Sequence, residues 1–192
     1  MIYLIAGLVL FLGIHSIEIV SPAFRGSAVA RIGEGSWKGI YSLLSIAGFV
    51  LLIWGYGVAR QEPILLYTPP VWTRHLAALL MLPVFPLLLA AYLPGRIKAA
   101  VKHPMLVAIK TWALAHLIAN GMLADVLLFG GFLVWAVADR ISLQRRVVRP
   151  TPGPPPSKYN DLIAVVAGLA LYVIFALWLH VRWIGVSPLP PM

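Results

Sequence analysis

Apolar residues along this chain fall into long runs separated by short polar clusters, and the runs set the elements. Residues 2–20, 39–59, 72–92, 104–119, 122–138 and 161–183 are each predominantly apolar. A helix needs roughly 20 such residues to cross about 30 Å of hydrocarbon. The pattern predicts an all-α, polytopic transmembrane helical bundle of about six spans. In the second run Tyr41, Ser45, Gly48 and Leu52 recur at helical spacing, giving a small, partly polar face suited to close packing. Trp54 and Tyr56 near its far end suit an interfacial aromatic belt. Pro83 and Pro86 should kink the third run, because each removes a backbone donor. Pro104 stands at the favoured first-turn position of the fourth. Asn120-Gly121 marks a turn, which predicts a tight hairpin of the fourth and fifth spans.

The polar clusters 21–38, 60–71, 93–103 and 141–160 read as loops. The last, ISLQRRVVRPTPGPPPSKYN, is basic and proline-rich and cannot be helical throughout. With alternating loops, one side collects Arg25, Arg31, Lys38, Arg96, Lys98, Lys102, Arg140, Arg145, Arg146, Arg149 and Lys158. The other holds Arg60, Arg74 and Arg182. The positive-inside rule then puts the heavily charged loops in the cytoplasm and both termini outside, in a multi-pass protein of the cell inner (plasma) membrane. The first run reads as a retained helix, since no basic residue precedes it as in a signal peptide. The chain reads as one transmembrane domain, 1–192, with a core over 2–140, the linker 141–160 and a further C-terminal span 161–183. No internal repeat is evident, which disfavours a repeat-built transporter.

Composition sharpens this picture. The 192 residues are 61% hydrophobic and 11% charged, where a soluble domain is nearer half and a quarter. Mean hydropathy is +0.91. The net charge of +9 would suggest nucleic acid in a soluble chain. Here the loop asymmetry accounts for it, and no nucleic-acid fold signature accompanies it. The absence of cysteine excludes disulfides, iron–sulfur clusters and thiolate chemistry. The expected partners are the lipid bilayer and an apolar or gaseous small-molecule substrate.

The unusual stretch is KHPMLVAIKTWALAHLIANG, residues 102–121. It is apolar enough to span, yet it carries Lys102, His103, Lys110, His116 and Asn120. Ionisable groups inside a span are costly and normally face a bundle interior, a cavity or a cofactor. Of the five histidines, His15 and His116 lie well inside predicted spans. His75, His103 and His180 sit within about a turn of an interface. Imidazole is the commonest neutral nitrogen ligand for haem iron and zinc. His103 and His116 are 13 residues apart, about 20 Å of rise and roughly 140° of rotation on an ideal helix, so they cannot share an ion. His116 shares its face with Trp112 and Asn120 at i−4 and i+4, while Lys110 shares a face with His103. A partner for His116 must come from another helix, and His15 is the other deep histidine. Glu18 could support His15 or pair with a loop arginine. Lys110 and the cytoplasmic arginines could meet haem carboxylates. Zinc is disfavoured, with no HExxH and few carboxylates. No Ser-His-Asp set or phosphate loop is evident. A lone membrane histidine is more often a packing residue than a ligand.

The segment KHPMLVAIKTWALAHLIANGMLADVLLFGGFLVWAVADRISLQRR resembles the core of the NnrU family of membrane proteins. LFLGIHS, KGIYSLLSIAGFVLLIWGYGVAR and PPVWTRHLAALLMLP add to the likeness, which covers about residues 10–146. The resemblance implies a link to denitrification and nitric oxide metabolism. The family is also similar to zeta-carotene isomerase, an integral membrane enzyme with haem b. Its axial histidines match His15 and His116, which implies a haem b site here with Trp112, Asn120 and Lys110 as further cofactor contacts. Where that isomerase carries a cysteine three residues before the second histidine, this chain has Ala113. A cysteine ligand switch is therefore excluded, and Ala113 should leave room beside a porphyrin. The function expected is redox, nitric-oxide-linked or isomerase-like chemistry. Two alternatives stand beside it. One is a cofactor-free assembly or accessory protein. The other is a methyltransferase, since Lys102-His103-Pro104-Met105-Leu106 resembles the Arg-His-Pro-x-Tyr segment of isoprenylcysteine methyltransferases, without its arginine or tyrosine.

Overall fold

The computed structural model describes residues 1–146 and 153–189, and every regular element among them is helical. The helices are α1 (Ile2–His15), α2 (Ile17–Val20), α3 (Pro22–Ile32), α4 (Glu34–Ala59), α5 (Trp72–Met81), α6 (Val84–Ala90), α7 (Arg96–Val101), α8 (Pro104–Ala119), α9 (Leu123–Ser142), α10 (Asn160–Ile174) and α11 (His180–Ile184), with one π-helical stretch, Phe175–Leu179, between the last two. Three stretches are long and apolar enough to cross a membrane: Glu34–Ala59, Trp72–Ala90 and Asn160–Ile184. They present apolar side chains outward, such as Leu43, Ile53, Leu162 and Leu177, which suits a lipid surround. α1 and α8 are shorter apolar helices, 14 and 16 residues long, or about 21 and 24 Å. α9 has 20 residues but carries Asp125, Asp139 and Arg140.

The chain divides into two compact units. The first holds Met1–Tyr67 and Met122–Val147. Its centre is the antiparallel pair α1 and α4. A Cβ added to Gly7 would come 2.5 Å from the Leu52 backbone, and one on Gly48 would come 2.8 Å from the Phe11 nitrogen. Gly55 meets the Leu4 backbone in the same way. Pairs 4/55, 7/52 and 11/48 thus set the register, and only glycine allows so close an approach. The small face expected on the second apolar run is this contact. α9 lies against α1, where Gly131 faces Leu8 and Leu12. The Tyr56 hydroxyl donates to Asp125 (2.6 Å), and the other Asp125 oxygen accepts from the Met122 amide (3.2 Å). Asp125 therefore caps α9 and ties it to the far end of α4.

The second unit holds Thr68–Gly121 and Val148–Met192. α6 packs on α8 and α10, and α5 packs on α8. Gly168 of α10 faces the Pro86 backbone. The Tyr172 hydroxyl donates to the Ala78 carbonyl (2.9 Å). Asp161 accepts from the Arg96 and Ile97 amides (2.8 and 3.1 Å), a cap for α7 supplied from α10.

Several expected boundaries move. The first run does not continue to residue 20 as one helix. The Ser16 hydroxyl donates to the Leu12 carbonyl (2.6 Å) and its amide to Gly13 (3.0 Å), which tightens the turn and ends α1 at His15. The expected loop 21–38 is helical, as α3 and the first turns of α4, because Pro22 opens α3 at its first position. The expected loop 93–103 contains α7. Charge marked these segments as outside the lipid, but it does not prevent helix. The break between α5 and α6 falls at Pro83 as expected, whereas Pro86 is tolerated in the first turn of α6, where an amide would have no helical acceptor. α9 runs on to Ser142, shortening the expected linker 141–160. Residues 153–157 of that linker are irregular, and 147–152, with Arg149, lie outside the described residues. So do residues 190–192 of the tail.

Candidate functional site

His15 is the last residue of α1. Its Nδ1 lies 2.7 Å from the Phe11 carbonyl one turn back. A carbonyl can only accept, so Nδ1 carries the proton, and in the neutral ring Nε2 carries the lone pair. That is the tautomer a metal ligand needs, and the anchoring bond raises ligand basicity. The ring is walled by aromatics. Its centroid is 4.4 Å from Phe11, 5.4 Å from Tyr41 and 6.3 Å from Trp135, the last edge-on at 89°. The register explains this arrangement. Continuing the 7/52 and 11/48 pairing brings residue 15 to the turn of α4 between Tyr41 and Ser45. Likewise Trp135, one turn beyond Gly131, reaches the level of His15 on α9.

At the same end of this unit lies a chain of charges. Glu18, three residues after His15, pairs with Arg146 (3.0 Å) and Arg25 (3.7 Å). Arg146 also pairs with Asp139, and each of those two side chains is only 13% exposed. Arg25 reaches Glu34 (4.0 Å), which pairs with Lys38 (3.0 Å). Glu18 is therefore the partner of two arginines from the expected loops.

His116 sits in the last turn of α8 in the other unit and repeats the anchoring of His15. Its Nδ1 lies 2.8 Å from the Trp112 carbonyl, again one turn back and again at an aromatic residue. The two rings are 5.4 Å apart. Nε2 is again the lone-pair nitrogen. Asn120 is on the same face, but its side-chain amide donates to the His116 carbonyl (2.9 Å) alongside its own backbone amide. It holds the end of the helix that carries His116. Trp112, His116 and Asn120 thus come together as the spacing implied. Lys110 is half-buried on a different face of α8, six residues from His116. Ala113 is fully buried, so it is a packing position and leaves no open space.

The remaining polar residues of the site region have local roles. The His180 Nδ1 donates to the Val186 carbonyl (2.6 Å). His103 caps α8 with its carbonyl, which accepts from Leu106 and Val107. Among the described residues no group of three or more His, Asp or Glu could hold a metal ion. Sequence reasoning did not single out Trp135, Ser45 or Asp139 for this region. The available signal was the spacing of Trp135 and Asp139 at i and i+4 within an apolar run, one face of α9 with two polar groups.

No curated protein and no solved structure matches the chain significantly. A family model described as NnrU protein matches residues 3–188, nearly the whole length. With its helical build and apolar spans, the chain belongs to the NnrU family.

Proposed function

We propose that this NnrU-family protein binds haem b in the membrane, with His15 and His116 as the two axial ligands. Its role is then in nitric oxide- or denitrification-linked redox metabolism, or in isomerase-like chemistry on an apolar substrate. One observation carries the reading. His15 and His116 are both anchored through Nδ1 to the carbonyl of an aromatic residue one turn earlier, so that in the neutral ring Nε2 is the nitrogen that can ligate. Phe11 and Trp112 offer flat apolar surface beside each ring. Asn120 positions the helix end that bears His116. Lys110, on its other face of α8, is proposed for one haem carboxylate. Held by these two histidines, haem would supply one-electron chemistry. With the three crossing helices, α1, α8 and α9 complete a six-span topology with both termini outside and the arginine-rich segments in the cytoplasm.

The cofactor-free accessory bundle is the second reading, favoured by the full burial of Ala113. Haem titration of detergent-purified protein separates the two. Wild type should develop a Soret band, and His116→Ala and His15→Ala should each lose it, while His103→Ala and His180→Ala keep it. A wild type that takes up no haem sinks the haem reading. For the topology, a cysteine placed at Ser157 of this cysteine-free chain should label only after cells are permeabilised; labelling of intact cells from outside contradicts the orientation.

A further inference from the structure

Segments that join the ends of membrane-crossing helices lie at the headgroup layer. In the second unit the two apolar stretches long enough to cross, Trp72–Ala90 and Asn160–Ile184, are held level at one end. The Asn160 side-chain amide donates to the Pro94 carbonyl (2.7 Å), and Asp161 caps α7. α7 and residues 153–159 therefore stand just beyond the ends of these stretches. They and the α7–α8 turn carry Arg96, Lys98, Lys102 and Lys158. Asp161 is the single acid of this unit, against five in the first. Each of its oxygens accepts a backbone amide. Among the described residues none of the four cations is in an ion pair. Lys98 Nζ donates to the Ala91 carbonyl (2.7 Å), and Lys158 lies over the Tyr159 ring (5.1 Å). Neither contact cancels a charge. In the first unit, by contrast, Arg25, Lys38 and Arg146 are met by Glu18, Glu34 and Asp139.

We infer that this end of the second unit is a docking surface for anionic phospholipid, with the exposed Arg96, Lys102 and Lys158 meeting headgroup phosphates. Four cations against one acid make the charge complementary, and basic surfaces at the ends of packed spans take anionic headgroups. The patch is also continuous with an apolar surface for the tails. Leu162, Val166 and Leu169 follow at i, i+4 and i+7 along α10, all exposed. Tyr159, exposed at the head of that stripe, suits the interfacial aromatic belt. The backbone at Lys102 points the same way. Its φ is +63°, and the His103 amide bonds the Val101 carbonyl across it (2.8 Å). Such a turn is strained for every residue but glycine, yet this chain holds an exposed lysine there. The surface stands apart from both histidine sites and does not depend on haem.

Native mass spectrometry of the full chain in detergent, titrated with phosphatidylglycerol or phosphatidylcholine, gives an apparent Kd for each lipid. Wild type should hold phosphatidylglycerol at least about tenfold more tightly, and high salt should remove most of that preference. Arg96→Gln and Lys158→Gln should each weaken phosphatidylglycerol about fivefold and leave phosphatidylcholine as in wild type. Lys38→Gln removes an exposed cation already paired with Glu34 and should change either Kd by less than about twofold. Lys102→Gly should weaken phosphatidylglycerol as the other two do, while the thermal midpoint of the lipid-free protein stays the same or rises, because glycine relieves the turn. That pairing separates a lost lipid contact from a damaged fold. Equal affinity of wild type for the two lipids overturns the inference. So does a preference lost as much in Lys38→Gln as in Lys158→Gln. A preference abolished by millimolar inorganic phosphate would mark a small-anion site, and one abolished by oligoglutamate an acidic protein partner. Either result overturns the lipid assignment.

Discussion

His15 and His116 are anchored alike and surrounded differently. Each gives its Nδ1 proton to the carbonyl of an aromatic residue one turn back. Around His15, three helices supply aromatic walls and a chain of ion pairs. On α8 itself Trp112 precedes His116 and Asn120 follows it, and the asparagine secures the helix end. The difference separates two levels of control. Tautomer and ring orientation come from i, i+4 contacts within a helix, which a short sequence can encode twice. Electrostatic surroundings come from packing between helices, and the two units pack by different means.

The largest expected effect concerns the ion pairs of the His15 unit. Arg146→Met removes the guanidinium that pairs with both Asp139 and Glu18 and should cost roughly 3–5 kcal/mol, read as a lower denaturation midpoint in detergent. A shift of under about 1 kcal/mol would show that this chain behaves as a solvated surface network. Next, the shared anchoring predicts equal roles for the two histidines. His15→Ala and His116→Ala should each weaken haem retention by at least the roughly 10- to 100-fold lost when a metal site's supporting residue is removed. Retention that survives one replacement and not the other would break the equivalence.

The glycine contact between α1 and α4 sets the level of His15, and it gives an intermediate effect. Gly7→Ala should destabilise by about 1–3 kcal/mol, since its Cβ would meet the Leu52 backbone. Gly13→Ala, with nothing within 4 Å of the new carbon, should be neutral or up to about 1 kcal/mol stabilising. Equal midpoints for the two variants would contradict the register. The smallest effect belongs to the His116 unit. Asn120→Ala removes one hydrogen bond to the His116 carbonyl and should cost about 0.5–1.5 kcal/mol without abolishing haem uptake.

What could be read in the sequence was local. α8 has the bounds that its apolar run and Pro104 imply, and the break at Pro83 follows from a missing amide. The two histidines stood out because an imidazole is conspicuous in an apolar run. The glycine face of α4 was legible because small residues recurred at helical spacing. The break at Ser16 was not, because it depends on one hydroxyl competing for the Leu12 carbonyl. The segments around α3 and α7 read as loops because hydropathy reports preference for lipid, and a polar helix looks like a loop on that measure. Trp135 was hidden for another reason. Its place beside His15 depends on which helix faces which, at contacts such as Gly131 with Leu8 and Leu12 that are far apart in the chain. Asp125 escaped notice likewise, since its partner Tyr56 lies 69 residues away.

The central claim is that two imidazoles from this one chain ligate one haem. Low-temperature electron paramagnetic resonance of the haem-loaded ferric protein addresses it most directly. Two axial imidazoles produce a low-spin signal, and the account predicts that signal in wild type and its loss in both His15→Ala and His116→Ala. A high-spin signal in wild type, or a low-spin signal unchanged by either replacement, would contradict it.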